Sequence, residues 1–477
     1  MLPSPLSGAQ ASQDADPLGR GIPSVRAEGF KLLGAPIGSS AFEGEYLDEK
    51  VDKLDQLMDK ISRLEDPHTE YALLRNCFAL PKLSYLMRAV DPRHHQGSLV
   101  RFDTFVRKAL EETLRVPLLD HQWMQATLPV SAGGLGLRSA ERHAACAYTA
   151  SLAASADIME EIRGKASDME EMVHWHAGLI RGLAGEEDEE ELTPAVVLAS
   201  SQKILSHRVD QHYSKLLNDR VVDERGKARL NSLTVRRAGD WLNTIPVKAL
   251  GLHLRPREFT VAVKYRLGVR VYTESGPCTA CGEDSDVYGD HAVGCGSEGE
   301  RIFRHNILRD AIHQTAKQAS LAPAKEQSAL LPGSQAKPAD VFIPRWANGA
   351  DCALDVTVVS SLQKELVRRA AAEVGSAAAK RYSDKMTKYF QACAGEGIKF
   401  CPVVVEALGG WQEDAAYVIT RLARQLASHT GKEAAEQVKY FFQRLGILLM
   451  RGNSALILNR TPTHVEAEVD GDQDFDA

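Results

Sequence analysis

The chain has 477 residues, 44% of them apolar and 25% charged, with a formal net charge of −7. These proportions exclude wholesale disorder, a fibrous repeat and a small disulfide scaffold, and the length suggests two to four domains at roughly 100–200 residues each. No stretch approaches the ~20 apolar residues of a membrane span, and no basic-then-apolar leader opens the sequence, so neither an anchor nor a secretory signal is expected. The eight cysteines are mostly scattered, which suits a reduced, intracellular setting.

Residues 1–28 are rich in Pro, Gly, Ser and Ala without periodicity and read as a flexible leader. GFKLLGAPIGSS predicts a short strand and turn. Amphipathic helices are expected over Glu45–Leu64, with Leu54, Leu57, Met58 and Ile61 at helical spacing, over His68–Ala89, and over Ser98–Arg115. LPVSAGGLGLRSA then predicts a Gly turn feeding a small-residue helix. The acidic run Glu186–Glu191 marks a solvated linker, after which basic helical sequence continues to about Val271. A helix over Arg301–Ala319 precedes VFIPRWANGADCALDVTVVS, which reads as two strands joined at Asn348-Gly349, a strong hairpin signal. A long helix (Leu362–Ala394), a buried strand (Phe400–Glu406) and two further helices follow.

The charge is unevenly spread. Glu186–Glu191 and the tail from Thr463 carry six negative charges each, which leaves the remainder at +5. Ser201–Tyr272 alone holds 15 Lys and Arg against 6 Asp and Glu. A polyanion partner is therefore compatible with the acidic average.

Two constellations carry chemistry. Cys278, Cys281, His291 and Cys295 have the spacing C-x2-C-x9-H-x3-C in a polar loop too short for a core of its own. Four soft or borderline ligands suit tetrahedral zinc, and a site closed by four protein ligands is structural. In the second, Asp340 and Asp355 fall on the two strands of the expected hairpin and can face one another. Two converging carboxylates repel unless a cation lies between them, and Mg²⁺ or Mn²⁺ there can activate water against a phosphodiester. Lys380, Lys385 and Lys388 on the following helix are candidates to orient that water, with Glu326 as a third carboxylate from the preceding helix. Arg304 and His305, beside Arg301, are placed to contact phosphate. On spacing alone, Asp340 can equally cap a turn while the lysines form a solvated face.

The order of these pieces resembles the C-terminal part of a non-LTR retrotransposon polyprotein carrying a restriction-like endonuclease. GFKLLGAPIGSSAFEGEYLDEKVDKL and LLRNCFALPKLSYLMRAVDP resemble the stretch from the end of the palm into the thumb. REFTVAVKYRLGVRV resembles the approach to the knuckle, CTACGEDSDVYGDHAVGC the knuckle itself, and KPADVFIP, LDVTVV and the KMTKY helix the nuclease core. The resemblance implies a mainly α, multi-domain N-terminal half (end of palm and thumb-like helices over 29–160, basic linker over 161–272). It implies a zinc knuckle over 273–300, an α/β PD-(D/E)xK fold over 301–460 and a disordered acidic tail over 461–477. It further implies Asp340 and Asp355 as the catalytic metal ligands, Lys385 or Lys388 as the catalytic lysine, Glu326 as a weaker transfer, Arg301, Arg304 and His305 as nucleic-acid contacts, target DNA and element RNA as partners, and a nuclear location. Thr357 stands where the usual motif has lysine. No polymerase Asp pair precedes Gly29, so polymerisation is not expected of this chain. The rival readings are a non-catalytic nucleic-acid-binding module with a decayed nuclease fold, and a scaffold without nucleic-acid contacts.

Overall fold

A computed structural model describes residues 28–163, 167–185, 192–297, 299–333, 336–347 and 349–460. The leader up to residue 27, the acidic run 186–191, the turn residue Asn348 and the tail 461–477 lie outside the described residues. The chain is mainly helical, with three small sheets among the described residues.

The expected N-terminal strand and turn is an antiparallel hairpin, β1 (Gly29–Leu32) and β2 (Ala35–Gly38). Helix α1 (Ser40–Ile61) starts where the Ser39 hydroxyl accepts the Phe42 N–H, and it buries Leu47, Val51, Leu54, Met58 and Ile61 at alternating spacings of four and three. Leu57, expected on that stripe, lies at its edge and is 36% exposed. The helix expected over His68–Ala89 is two helices, α2 (Pro67–Leu73) and α3 (Leu80–Ala89), separated by a widened turn over Leu74–Phe78. Pro81 explains the break, because it has no N–H to give the preceding turn and its ring crowds the carbonyl four residues back.

Helices α4 (Gln96–Leu114), α5 (Asp120–Thr127) and α6 (Ala140–Arg163) follow. The Asp103 carboxylate of α4 starts α6 by accepting the Ala140 N–H at 2.7 Å and the Ser139 hydroxyl at 2.5 Å. Between α5 and α6, a side chain at Gly134 would meet Leu128 O at 2.0 Å, so this turn closes only with glycine. Helices α7 (Ser167–Ala184), α8 (Pro194–Ala199) and α9 (Gln202–Arg220) form a satellite cluster on α6 around Cys146, Ile180, Leu205 and Val209. Helices α10 (Glu224–Thr234) and α11 (Pro256–Leu267) complete the helical half.

The knuckle segment pairs β3 (Gly276–Pro277) with β4 (Asp284–Ser285) and closes with the short helix α12 (Asp290–Gly294). Helix α13 (Glu300–Gln318) leads to a four-stranded sheet of order β5 (Ala324–Lys325), β6 (Val341–Ala347), β7 (Ala350–Val359) and β8 (Ile398–Glu406). β5, β6 and β7 are antiparallel, while β8 lies parallel to β7. A parallel pair needs a crossover, here α14 (Val367–Ala372) and α15 (Ser376–Gly395). The single helix expected over Leu362–Ala394 is therefore two. Glu373 is extended and Gly375 takes φ 73°, a left-handed conformation that glycine tolerates and that ends a helix. β8 is buried along almost its whole length, as suits a strand covered on both faces.

Helices α16 (Glu413–Thr430) and α17 (Ala434–Leu458) close the fold. One apolar cluster runs from Leu47 on α1 through Trp241 and Phe259 to Val341, Val403 and Met450, so the helical half and the sheet share a core. No described helix is long and apolar enough to cross a membrane, and all eight cysteines are free.

α17 and α13 approach closely because of Gly452, where a side chain would meet Arg304 Cγ at 2.6 Å and Cβ at 2.9 Å. Gly452→Ala is expected to destabilise the fold by about 1–3 kcal/mol, read as a lowered Tm in thermal unfolding. An unchanged Tm would mean that the two helices separate at no cost.

Candidate functional site

The four knuckle ligands come together. Cys278, Cys281, His291 and Cys295 place their ligand atoms within 4.8 Å of one another, and Cys281 Sγ is 3.2 Å from His291 Nε2. The β3–β4 pairing carries the two N-terminal cysteines, Cys278 buried and Cys281 exposed, while Asp286 holds the other half by accepting the N–H groups of Tyr288, Asp290 and His291 at 2.7, 3.1 and 2.8 Å. Burial acts to raise the Cys295 thiol, but the Ser297 N–H and the Arg460 guanidinium outweigh it and leave the group below its ordinary value. Three sulfurs and one imidazole nitrogen packed this closely form a donor set suited to a metal ion such as zinc.

The second constellation also assembles. Val341 pairs with Leu354, so the next step of the register sets Asp340 opposite Asp355. Asp340 Oδ2 accepts the Val356 N–H at 2.6 Å, and His305 Nε2 stands 3.3 Å from Oδ1. Lys385 Nζ lies 3.0 Å from Asp355 Oδ1 and 2.9 Å from Oδ2, and the Thr357 hydroxyl donates to Oδ2 at 3.1 Å. Both carboxylates open onto a cavity of about 260 Å³, lined also by Arg301, Arg304, His305, Thr357 and Lys385. Burial pushes the Asp355 carboxyl up against the opposing pull of Lys385, with Asp340 adding to the rise. The hydrogen bond to Asp340 raises His305 against the effect of burial. Arg304 is 4% exposed, and burial lowers its pKa to about 10, so it is charged at neutral pH. Three fixed cations and a polarised histidine thus surround two carboxylates, an excess of positive charge that favours an anion.

Other expected residues stand elsewhere. Glu326 is not on a helix but follows edge strand β5 at φ 48°, and its carboxylate pairs with Arg309. Only its backbone reaches the pair, donating its N–H to Asp340 O at 3.0 Å. Lys388 lies over the Tyr389 ring at 4.7 Å and does not line the cavity, while Lys380 pairs with Asp384. Asn453, which holds Arg304 Nη1 at 2.8 Å from α17, and the buried Arg460 were not foreseen. A polar residue inside an otherwise apolar helix was the available signal for Asn453. No family model matches the chain, and no curated protein is significantly similar to it.

In the metal-free protein, His305 is expected to titrate above 6.5 and to fall when Asp340 becomes Asn, as followed by ring-proton NMR. The pair's contribution to stability is present below the unfolded pKa and disappears as pH rises through the elevated folded value. An unperturbed titration in both proteins would contradict the contact. At the knuckle, purified protein is expected to retain a single zinc ion that Cys281→Ser releases, as measured by elemental analysis; equal zinc in both would assign the metal elsewhere.

Proposed function

We propose that the chain is a nucleic-acid-binding protein whose carboxylate pocket hydrolyses phosphodiester bonds with Mg²⁺ or Mn²⁺, in the manner of the restriction-like endonucleases of non-LTR retrotransposons. The observation that carries this reading is the convergence of Asp340, Asp355 and Lys385 on one cavity with Arg301, Arg304 and His305. Hairpin, crossover helix and parallel strand are the parts that a PD-(D/E)xK core requires, and Lys385 reaches the site from the helix in place of Thr357.

The donors at the pair are carboxylate oxygens beside a hydroxyl, hard ligands that fit Mg²⁺. A cation held by Asp340 and Asp355 would supply Lewis-acid charge and a more acidic water. Arg301 and Arg304 hold non-bridging phosphate oxygens, and Lys385 Nζ orients the attacking water and offsets charge at phosphorus. The water oxygen joins phosphorus, the P–O3′ bond breaks, and a proton ends on O3′ to leave a 3′-hydroxyl. Priming of reverse transcription by that hydroxyl, element RNA as a second ligand and a nuclear setting belong to the same proposal. The knuckle and the basic 201–272 segment would hold nucleic acid chiefly through phosphates.

One observation favours a second reading, a binding module without catalysis. Asp355 is already paired with Lys385 and Asp340 with His305, and Thr357 stands where the usual motif has lysine. Nicking of supercoiled plasmid with Mg²⁺ or Mn²⁺ decides between them. Asp340→Ala and Asp355→Ala are each expected to abolish nicking and to spare binding. Lys385→Ala is expected to slow it by roughly 10²-fold or more, and Lys388→Ala by far less. Absence of nicking by folded, zinc-loaded protein would leave the binding module.

A further inference from the structure

The knuckle and the carboxylate pocket meet through a side chain that belongs to neither. Arg460, two residues beyond the end of α17, is 1% exposed. Its Nη2 donates to Ser297 O at 2.7 Å and lies 3.0 Å from Glu300 Oε2, while Nη1 reaches Leu456 O at 3.3 Å. One buried cation thus joins the loop two residues past the last knuckle ligand, Cys295, to the first residue of α13.

What α13 does next gives the contact its meaning. Its first turns present Arg301, Arg304 and His305 to the cavity. α17 holds this end of α13 at two levels. The inner level is Asn453, whose Oδ1 takes Arg304 Nη1 at 2.8 Å and whose Nδ2 donates to Ala407 O at 2.7 Å, just past β8. The outer level is Arg460 with Glu300. The outer level is tied to the metal site by geometry, because Ser297, whose carbonyl holds Arg460, stands two residues past the ligand Cys295. Without a metal to hold Cys295 the Ser297 carbonyl loses its fixed place, and Arg460 keeps only Glu300 and the Leu456 carbonyl as partners.

We propose that Arg460 is a positioning residue through which zinc occupancy of the Cys278–Cys281–His291–Cys295 cluster sets the placement of the α13 cationic face over the carboxylate pocket. This rests on reading the cluster as a zinc site and the pocket as an anion site. The zinc is then more than a local staple, because its departure slackens the start of α13 some residues along the chain.

The test uses the full-length protein and reads neither cleavage nor turnover. Arg460→Met is expected to weaken zinc binding by about 10-fold in chelator competition, with Arg460→Lys in between. Hydrogen exchange at the α13 amides over 300–308 is expected to quicken about 10-fold in Arg460→Met and in zinc-stripped wild type alike, with circular dichroism unchanged. Glu300→Gln is the second variant, should Arg460→Met fold poorly. It is expected to keep zinc affinity within about 2-fold while quickening the same amides, since it cuts the link on the far side of Arg460. Zinc affinity unmoved by Arg460→Met, or α13 exchange indifferent to zinc removal, overturns the proposal. A short-duplex affinity unaffected by Arg301→Ala would overturn the anion reading of the pocket and leave the coupling standing.

Discussion

Several parts of this chain bury their apolar surface on the same helix. α17 is apolar nearly all round, with Val438, Phe441, Phe442, Leu445, Ile447, Leu449, Met450, Leu456 and Ile457 buried. Such a helix is stable only when it is enclosed. It is enclosed by α11, α13, α16 and the turn bearing Trp241, with Gly446 admitting the Trp241 backbone and Gly452 admitting Arg304. Tyr272, just before the knuckle, adds a hydrogen bond from its hydroxyl to Ile457 O at 2.7 Å. Elements far apart in the sequence are therefore fixed against a common axis, and the geometry of both candidate sites follows from it.

Buried charge is the second constraint. Asp340 and Asp355 stand opposite each other, and burial makes the ionised Asp355 carboxyl expensive unless a cation or N–H group answers it. The chain answers them internally, with His305 and the Val356 N–H at Asp340 and with Lys385 and Thr357 at Asp355. Glu406, fully buried at the end of β8, is met by Ser232 from α10 and by the Ala378 N–H at the start of α15. The break at Gly375 is what leaves that N–H free, so the chain meets this buried acid with its own groups.

Much of this was legible locally. The Asn348-Gly349 pair between β-rich runs gave the hairpin, but the turn register alone would set Asp340 opposite Thr357; an irregularity between Ile343 and Ala347 shifts the pairing by two residues and brings Asp355 there. The knuckle spacing likewise brought four ligands together, because a two-residue gap between cysteines is a turn. The helix breaks were signalled by Pro81 and Gly375 and were overridden by long apolar periodicity. Other features depend on packing at a distance. Lys385 and Lys388 share a face by spacing, and only the crossing of α15 over the sheet decides that Lys385 reaches Asp355. Glu326 was drawn away by Arg309 on α13, after positive φ at Ser320 and Ala322 had ended the helix that was expected to carry it. Nothing near Arg460 in the sequence marks it as buried.

The shared core bears on how such a chain can be divided. The sheet, its crossover helices and the carboxylate pocket form a recognisable unit, yet α17 belongs to it and equally to α11 and the Trp241 turn. A copy of residues 301–460 placed in another context would carry an apolar stripe that has lost its cover. The functional unit and the folding unit therefore have different borders, and any recombination that transplants the pocket must bring part of the helical half with it.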